Sequence, residues 1–390
     1  MVGNGMRLFS LAADYFRAVL RIALIISVLT GCSLISLGQG STAPKYSNEF
    51  LQIGVGARSL GMSLAQVASV NDLTSGYWNP AGLAGMKGRM QVAAMHSEYF
   101  AGIAKYDYAA LSKRIDSTSA MGLSVIRFGV DDIPNTTELI DAEGNIDYSR
   151  ITTFSAADYA FVLSYGKKSS FLQQRMPKLG GDHFSWGASA KIIYRHLGDF
   201  ARAWGFGIDA GAQWWSGKWR VGIMARDVTS TFNAWSYSID DKTKEVFLAT
   251  GNEIPENTLE ITLPRFIPGI GRMWKIKEID LLTEVNFMMT TDGQRNSLIS
   301  GKVFNVDPSF GFEASYKNTV FLRGGVGNFQ RIKTFEGDAI SLQPNIGLGL
   351  RIRSLYLDYA LSDIGNVSDV LYSNVFSLKL LLREKLKAKP

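Results

Sequence analysis

From about residue 89 onward, apolar and polar residues alternate with a period of two, interrupted by turn residues. Such alternation places one set of side chains on each face of a strand. Trp204, Phe206, Ile208, Ala210, Ala212 and Trp214 share a face, and Gly205, Gly207, Asp209, Gly211 and Gln213 share the other. The segment before it repeats the pattern, with Phe184, Trp186, Ala188, Ala190, Ile192 and Tyr194 against Ser185, Gly187, Ser189, Lys191 and Arg195. Near the end, Leu355, Leu357, Tyr359 and Leu361 oppose Tyr356, Asp358, Ala360 and Ser362. The polar face is rich in glycine and carries isolated charges such as Asp107, Asp158, Asp280, Glu284, Arg351 and Lys379. The water face of a soluble sandwich would hold more charge than this. The pattern therefore predicts an outer-membrane barrel, apolar side outward and polar side inward.

Strands are expected near 89–99, 104–114, 119–129, 154–166, 184–195, 202–214, 217–227, 258–272, 278–289, 309–317, 319–328, 342–352, 354–362 and 372–382. The expected fold is all-β, a 14-stranded antiparallel transmembrane β-barrel, and the even count is the one bacterial barrels use. Short joints such as Ser216-Gly217, Lys317-Asn318 and Arg353 follow even-numbered strands, whereas the long stretches 130–153, 228–257, 290–308 and 329–341 follow odd-numbered ones. Short periplasmic turns and long outer loops segregate in this way. The long segment 167–183 breaks the rule, and 297–306 is assigned to an outer loop because a further strand would make the count odd. Pro264 and Pro268 weaken the eighth strand, since neither can donate to a ladder. Two readings of them stand: a bulge, or a kinked wall strand that opens sideways.

Residues 50–88 read differently, being small and Gly-rich without long alternation, as compact turns packed inside a lumen would be. Further upstream, Arg7, Arg17 and Arg21 precede an apolar run from Ile22 to Val28, the form of a secretory signal. Cleavage after Gly38 and lipidation at Cys32, within Leu29-Thr-Gly-Cys32, are the two readings of its end. The expected organisation is a signal peptide at 1–38, a hatch segment at 39–88, the barrel at 89–382 and a basic periplasmic tail at 383–390.

Composition narrows the function classes. The chain has 390 residues, one Cys and three His, which excludes a disulfide framework and a His-rich metal site. No run of about 18 apolar residues follows residue 38, so no spanning helix is expected there. The formal charge is +6, but the three Arg and one Asp of 1–38 and the four basic residues and one Glu of the tail carry nearly all of it. The remainder is close to neutral, which gives nucleic-acid binding no support. There is no G-x-S-x-G elbow and no phosphate loop, and Gly54-Val-Gly56 lacks a βαβ context. His96, His183 and His196 are too scattered for a metal site. No enzyme activity, cofactor or metal is expected. The outer loops carry the candidate partner-binding residues. Loop 130–153 is acidic, with Asp131, Asp132 and Asp141 among its charges, and fits either a solvated surface or divalent ions shared with lipopolysaccharide. Loop 228–257 holds Phe232, Trp235, Tyr237 and Phe247, aromatics that either pack over the barrel mouth or bind a protein.

Within the N-terminal segment, Lys45-Tyr-Ser-Asn-Glu-Phe-Leu51, Gly54-Val-Gly-Ala-Arg-Ser-Leu-Gly-Met62 and Tyr77-Trp-Asn-Pro-Ala-Gly-Leu83 resemble the PorV/PorQ group of Bacteroidota outer-membrane proteins, relatives of the FadL long-chain fatty-acid transporters. Asn79, Pro80 and Ala81 look like the motif in the hatch of FadL-type barrels. The resemblance implies a FadL-like barrel plugged at its N-terminus. For the PorV type it implies a part in type IX secretion, with translocon and sortase components and the C-terminal domains of secreted cargo as partners. The chain departs from many barrels in closing on Phe376-Ser-Leu-Lys-Leu-Leu-Leu382 and a basic tail, not on a terminal aromatic. Two functions follow: a PorV-like secretion component working through its outer loops, and a FadL-like transporter of hydrophobic small molecules. The second requires an apolar pocket between hatch and wall, near Pro264 and Pro268. A third, modification of outer-membrane lipid, has no catalytic constellation behind it.

Overall fold

The computed structural model describes residues 47–139, 145–170, 183–334, 337–362 and 373–382. The expected signal peptide, Cys32, Lys45, Tyr46, Asp141 and the basic tail lie outside them. Fourteen antiparallel strands form the wall: β1 (Met90–Tyr99), β2 (Ala104–Arg114), β3 (Ser119–Asn135), β4 (Thr152–Ser169), β5 (His183–Leu197), β6 (Ala201–Ser216), β7 (Trp219–Arg226 and Thr231–Tyr237), β8 (Leu259–Thr262 and Arg265–Ile276), β9 (Ile279–Thr290), β10 (Asn305–Tyr316), β11 (Val320–Thr334), β12 (Gly337–Ile352), β13 (Leu355–Ser362) and β14 (Ser373–Leu382). Each pairs with its neighbours in sequence, and β1 closes on β14 from Met90↔Leu382 to Glu98↔Asn374. Closure leaves no sheet edge, which is the condition for a sheet to survive in lipid.

Several boundaries differ from expectation, the larger ones towards the long-loop end, while β4 and β8 also run on at the short-turn end to Ser169 and Ile276. β3 continues through a register shift between Val130 and Ile133, so Asp131 and Asp132 belong to the wall and not to a loop. Asp132 takes the left-handed backbone of that bulge, a conformation Asp tolerates. β7 resumes after Asp227–Ser230 and pairs again with β6, so Phe232, Trp235 and Tyr237 are also wall residues. Only Phe247 lies in the connection itself. It sits on a helix over Asp241–Ala249, whose N-terminus is capped by the Asp240 side chain. Pro264 occupies the break in β8. Pro268 lies inside the second piece, opposite Ile223, where the ladder to β9 skips from Phe266↔Met289 to Gly269↔Asn286. Ile299–Ser300 folds back on Val306 and Asn305 and adds no wall strand.

The outward face is apolar and bounded by two rows of aromatics. Near the long-loop end, Tyr159, Tyr194 and Trp204 follow one another across β4, β5 and β6. Near the short-turn end come Tyr165 and Trp186, then Trp214, Trp219 and Trp274. Trp204 and Trp214 are ten residues apart on β6. At about 3.4 Å per residue and a tilt of about 40°, that is a band of roughly 26 Å, the height a bilayer requires. One expectation fails on this face. Asp107 points outward, bonded to His96 Nδ1 at 2.7 Å with Arg127 at 3.5 Å. Opposite charges on neighbouring strands here offset one another in a row that lies near the outer aromatic girdle.

Candidate functional site

Residues 47–88 pack inside the wall. A 3₁₀ turn over Glu49–Gln52, the helices α1 (Ala57–Gly61) and α2 (Ser75–Trp78) and a second 3₁₀ turn over Pro80–Gly85 follow in order. Elements this short are not stable alone. They are held because side chains of the segment itself and of the wall satisfy backbone groups across the contact. Asn79 is the centre of this: its Oδ1 accepts from Ala81 N–H at 3.2 Å, and its Nδ2 donates to Val67 O at 3.0 Å and to Ala212 O at 3.1 Å. Pro80 follows at the first helical position, where its missing N–H costs nothing. Gln213 Nε2 donates to the carbonyls of Val67 and Val70, both at 3.0 Å, and Trp215 Nε1 to that of Ala68 at 2.9 Å. Wall glycines allow the approach. A Cβ at Gly187 would lie 2.4 Å from the Pro80 carbonyl carbon, and one at Gly222 would lie 2.6 Å from Val67 O. Ion pairs fix the segment to the closing strands: Arg58 Nε meets Glu313 at 2.8 Å, a carboxylate that Arg323 Nε of the wall also binds at 2.7 Å, and Asp72 meets Lys379.

On the long-loop side of this packing lies a cavity of about 460 Å³. Its apolar surface comes from Phe50, Ile53, Leu60, Leu64, Val67 and Trp78 of the inner segment, with Tyr99, Phe100, Phe128, Ile267 and Met288 of the wall. Polar residues are as numerous in the lining: Glu49, Arg226, Arg265 and Asp307 carry charge, and Gln52, Asn286, Asn328, Gln343 and Asn345 carry amides. Arg226 is committed to the segment. It donates to Leu51 O at 3.2 Å, and its guanidinium lies 4.3 Å from the Tyr77 ring centroid. Glu49 bridges Arg265 at 3.4 Å and Arg295 at 3.3 Å. Among the described residues, Oδ1 of Asn286 and Oδ1 of Asp307 have no hydrogen-bond partner. Most of the surface the chamber exposes is apolar, with the polar groups set around it, and its volume falls in the usual small-molecule range of about 300–1,000 Å³.

The residues singled out in the sequence do not converge here. Asn79, Pro80 and Ala81 form the packing beneath the cavity. Pro264 and Pro268 flank Arg265 and Ile267, which line it. Behind the paired breaks in β7 and β8, Lys191 Nζ lies 2.8 Å from Asp209 and 2.6 Å from Asp227, all nearly buried. Thus the wall at the breaks is backed by an ionic cluster. Asp209 is therefore charge-paired in the lumen, whereas Glu284 accepts from Ala68 N–H at 2.7 Å with no cation bonded to it among the described residues. Trp235 donates to Glu260 at 3.0 Å beneath Arg195, and Phe232 pairs with Phe206 on the outer wall. Asp131 is held by Lys105 at 3.3 Å. Sequence reasoning missed the cavity residues because they come from many elements, each contributing one or two side chains of ordinary core type.

No protein-family model matches the chain, and no curated protein matches it. Solved structures do. The CymD monoaromatic hydrocarbon channel is 12% identical with a TM-score of 0.50, over 85% of this chain and 98% of that one. The P. putida toluene transporter TodX is 11% identical with a TM-score of 0.50, over 85% and 99%. A Pseudomonas aeruginosa FadL homologue is 14% identical with a TM-score of 0.48, over 86% and 99%. At these identities the shared property is the fold, a closed fourteen-stranded barrel.

Proposed function

We propose that the chain sits in the outer membrane and takes a small hydrophobic molecule into the barrel from the outer side. The observation that carries this is the apolar cavity between the inner segment and the wall, next to Arg265 and Ile267. A barrel serving only as a scaffold has no use for such a hollow, since filling it would add stability. The barrels of like fold described as a monoaromatic hydrocarbon channel and a toluene transporter support the reading. Met288 packs on Val67, Met224 and Ile267 and faces the hollow, so Met288→Trp fills it. The purified protein should bind the fluorescent probe phenylnaphthylamine saturably, and Met288→Trp should weaken binding by about tenfold, or about 1.4 kcal/mol. Equal binding by both proteins, with the variant folded, rejects the proposal.

A second reading is a PorV-like part in protein secretion, with translocon, sortase or cargo domains as partners. The resemblance of Gly54–Met62 and Tyr77–Leu83 favours it, as does the helix Asp241–Ala249, which carries Phe247 and an exposed Leu248. Crosslinked pull-down from outer membranes should recover translocon or sortase components with the intact chain and fewer after replacement of 241–249. Recovery of none from the intact chain counts against this reading.

A further inference from the structure

Arg272 on β8 faces outward, towards lipid, opposite Trp219 of β7 and Thr283 of β9. Its guanidinium carbon lies 4.1 Å from the ring centroid of Trp274 and 4.8 Å from that of Trp219. The Trp274 ring is itself fixed, since its Nε1 donates to Thr283 Oγ1 at 3.2 Å. Among the described residues no carboxylate pairs with Arg272; its Nε is buried against the wall without a hydrogen-bond partner, so only the two Nη groups at the end of the fork can meet a ligand from outside. Outward-facing Arg127 makes the contrast, being answered by Asp107 and Asp131.

Depth decides what can answer Arg272. The residue is four positions from the end of β8 at Ile276, on the short-turn side, which faces the periplasm in barrels of this kind. Tryptophans mark the membrane–water interface, and Trp219 and Trp274 place the guanidinium at that level. Its stem lies along the wall while its head reaches for polar surroundings. The charged Nη donors need acceptors at this depth, and the acceptors the inner leaflet offers there are lipid phosphate oxygens. Two aromatic neighbours hold the planar fork in one orientation, so that it can present two parallel N–H groups to one phosphate.

We propose that Arg272, flanked by Trp219 and Trp274, is a binding site for the phosphodiester of a phospholipid in the periplasmic leaflet. The site is on the outer wall and is independent of the lumenal cavity.

The test uses the full chain, delipidated in detergent and titrated with dimyristoylphosphatidylglycerol, with bound lipid read by native mass spectrometry. Arg272→Gln should weaken retention of one lipid by about tenfold, the loss expected for a charge-assisted bond to phosphate. Trp274→Leu, which keeps the charge and removes one flanking ring, should weaken it by about threefold. It carries the test if Arg272→Gln does not fold. Lys113→Gln, at an exposed outward lysine near the same end of the wall, should change nothing. The proposal is overturned by unchanged retention in both site variants or by an equal loss in Lys113→Gln. Displacement of the lipid by inorganic phosphate also overturns it, because the site would then be one for the free anion.

Discussion

Arg58, on the inner segment, and Glu313, on β10, meet at 2.8 Å, and Arg323 of β11 binds the same carboxylate at 2.7 Å. One wall carboxylate thus holds two guanidinium groups, one of them the anchor of the segment that underlies the cavity. Removing one partner of a buried pair costs about 3–5 kcal/mol, since the other charge is left uncompensated. Glu313→Gln should therefore loosen the inner segment more than the wall. Hydrogen exchange should quicken over 57–62 while the strands stay protected. Unchanged protection there would show that the anchor lies elsewhere.

Gly187 offers a steric version of the same test. Its place against Pro80 leaves no room for a methyl group, with the Pro80 carbonyl carbon 2.4 Å and Ala81 N 2.6 Å from the position a Cβ would take. Backbone on both sides cannot swing away as a side chain can. Gly187→Ala should cost about 1–3 kcal/mol, the usual penalty for overpacking. The thermal unfolding midpoint should fall, with the folded mobility of the barrel on unheated gels preserved.

These contacts mark the limit of what a sequence reveals. The wall was legible because lipid outside and packed polar surface inside impose a two-residue period on every strand, and Trp204 to Trp214 shows it over ten positions. The misreading of Phe232, Trp235 and Tyr237 as loop has a physical origin. The polar stretch Asp227-Val-Thr-Ser230 looks like the end of a strand. Here it is a bulge whose buried carboxylate is neutralised by Lys191, more than thirty positions away, after which pairing resumes. The cavity was illegible for a related reason. Phe50, Trp78, Phe128 and Met288 are each ordinary core residues, and only the packing of the inner segment leaves space between them.

Asp72 adds a dependence on pH. It is buried on the inner segment, which alone would raise its carboxyl. The Lys379 ammonium and Arg58 guanidinium, with the Thr74 hydroxyl, outweigh burial and hold it well below the usual carboxylate range. A group depressed in the folded state contributes stability that is fully present above its unfolded value, about 4, and is lost as pH falls through the folded value. The stability of the inner segment should thus hold from neutrality to about pH 4 and decline in stronger acid. Asp72→Asn should be less stable at neutral pH and show a shallower decline below about 4. Thermal unfolding at a series of pH values checks this, and parallel curves for the two proteins would remove Asp72 from the account.

The breaks in β7 and β8 give the last prediction. Four steps along β6, from Ala210 to Phe206, are matched by seven along β7, from Ala225 to Phe232, so β7 must bulge. A bulge leaves backbone groups unpaired unless side chains take them up. Asp209 does so, accepting from Asp227 N–H at 2.8 Å while also binding Lys191. Lys191 is the only cation that ion-pairs with these two carboxylates among the described residues. Lys191→Met keeps the length of the side chain and leaves two buried acids facing each other. It should cost about 3–5 kcal/mol in denaturant unfolding. Asp209→Asn and Asp227→Asn, added together to Lys191→Met, should recover most of that loss, because the amides keep the hydrogen-bond acceptors and remove the repulsion. If the triple variant is no more stable than Lys191→Met alone, the bulge is held by its backbone and not by the charge cluster behind it.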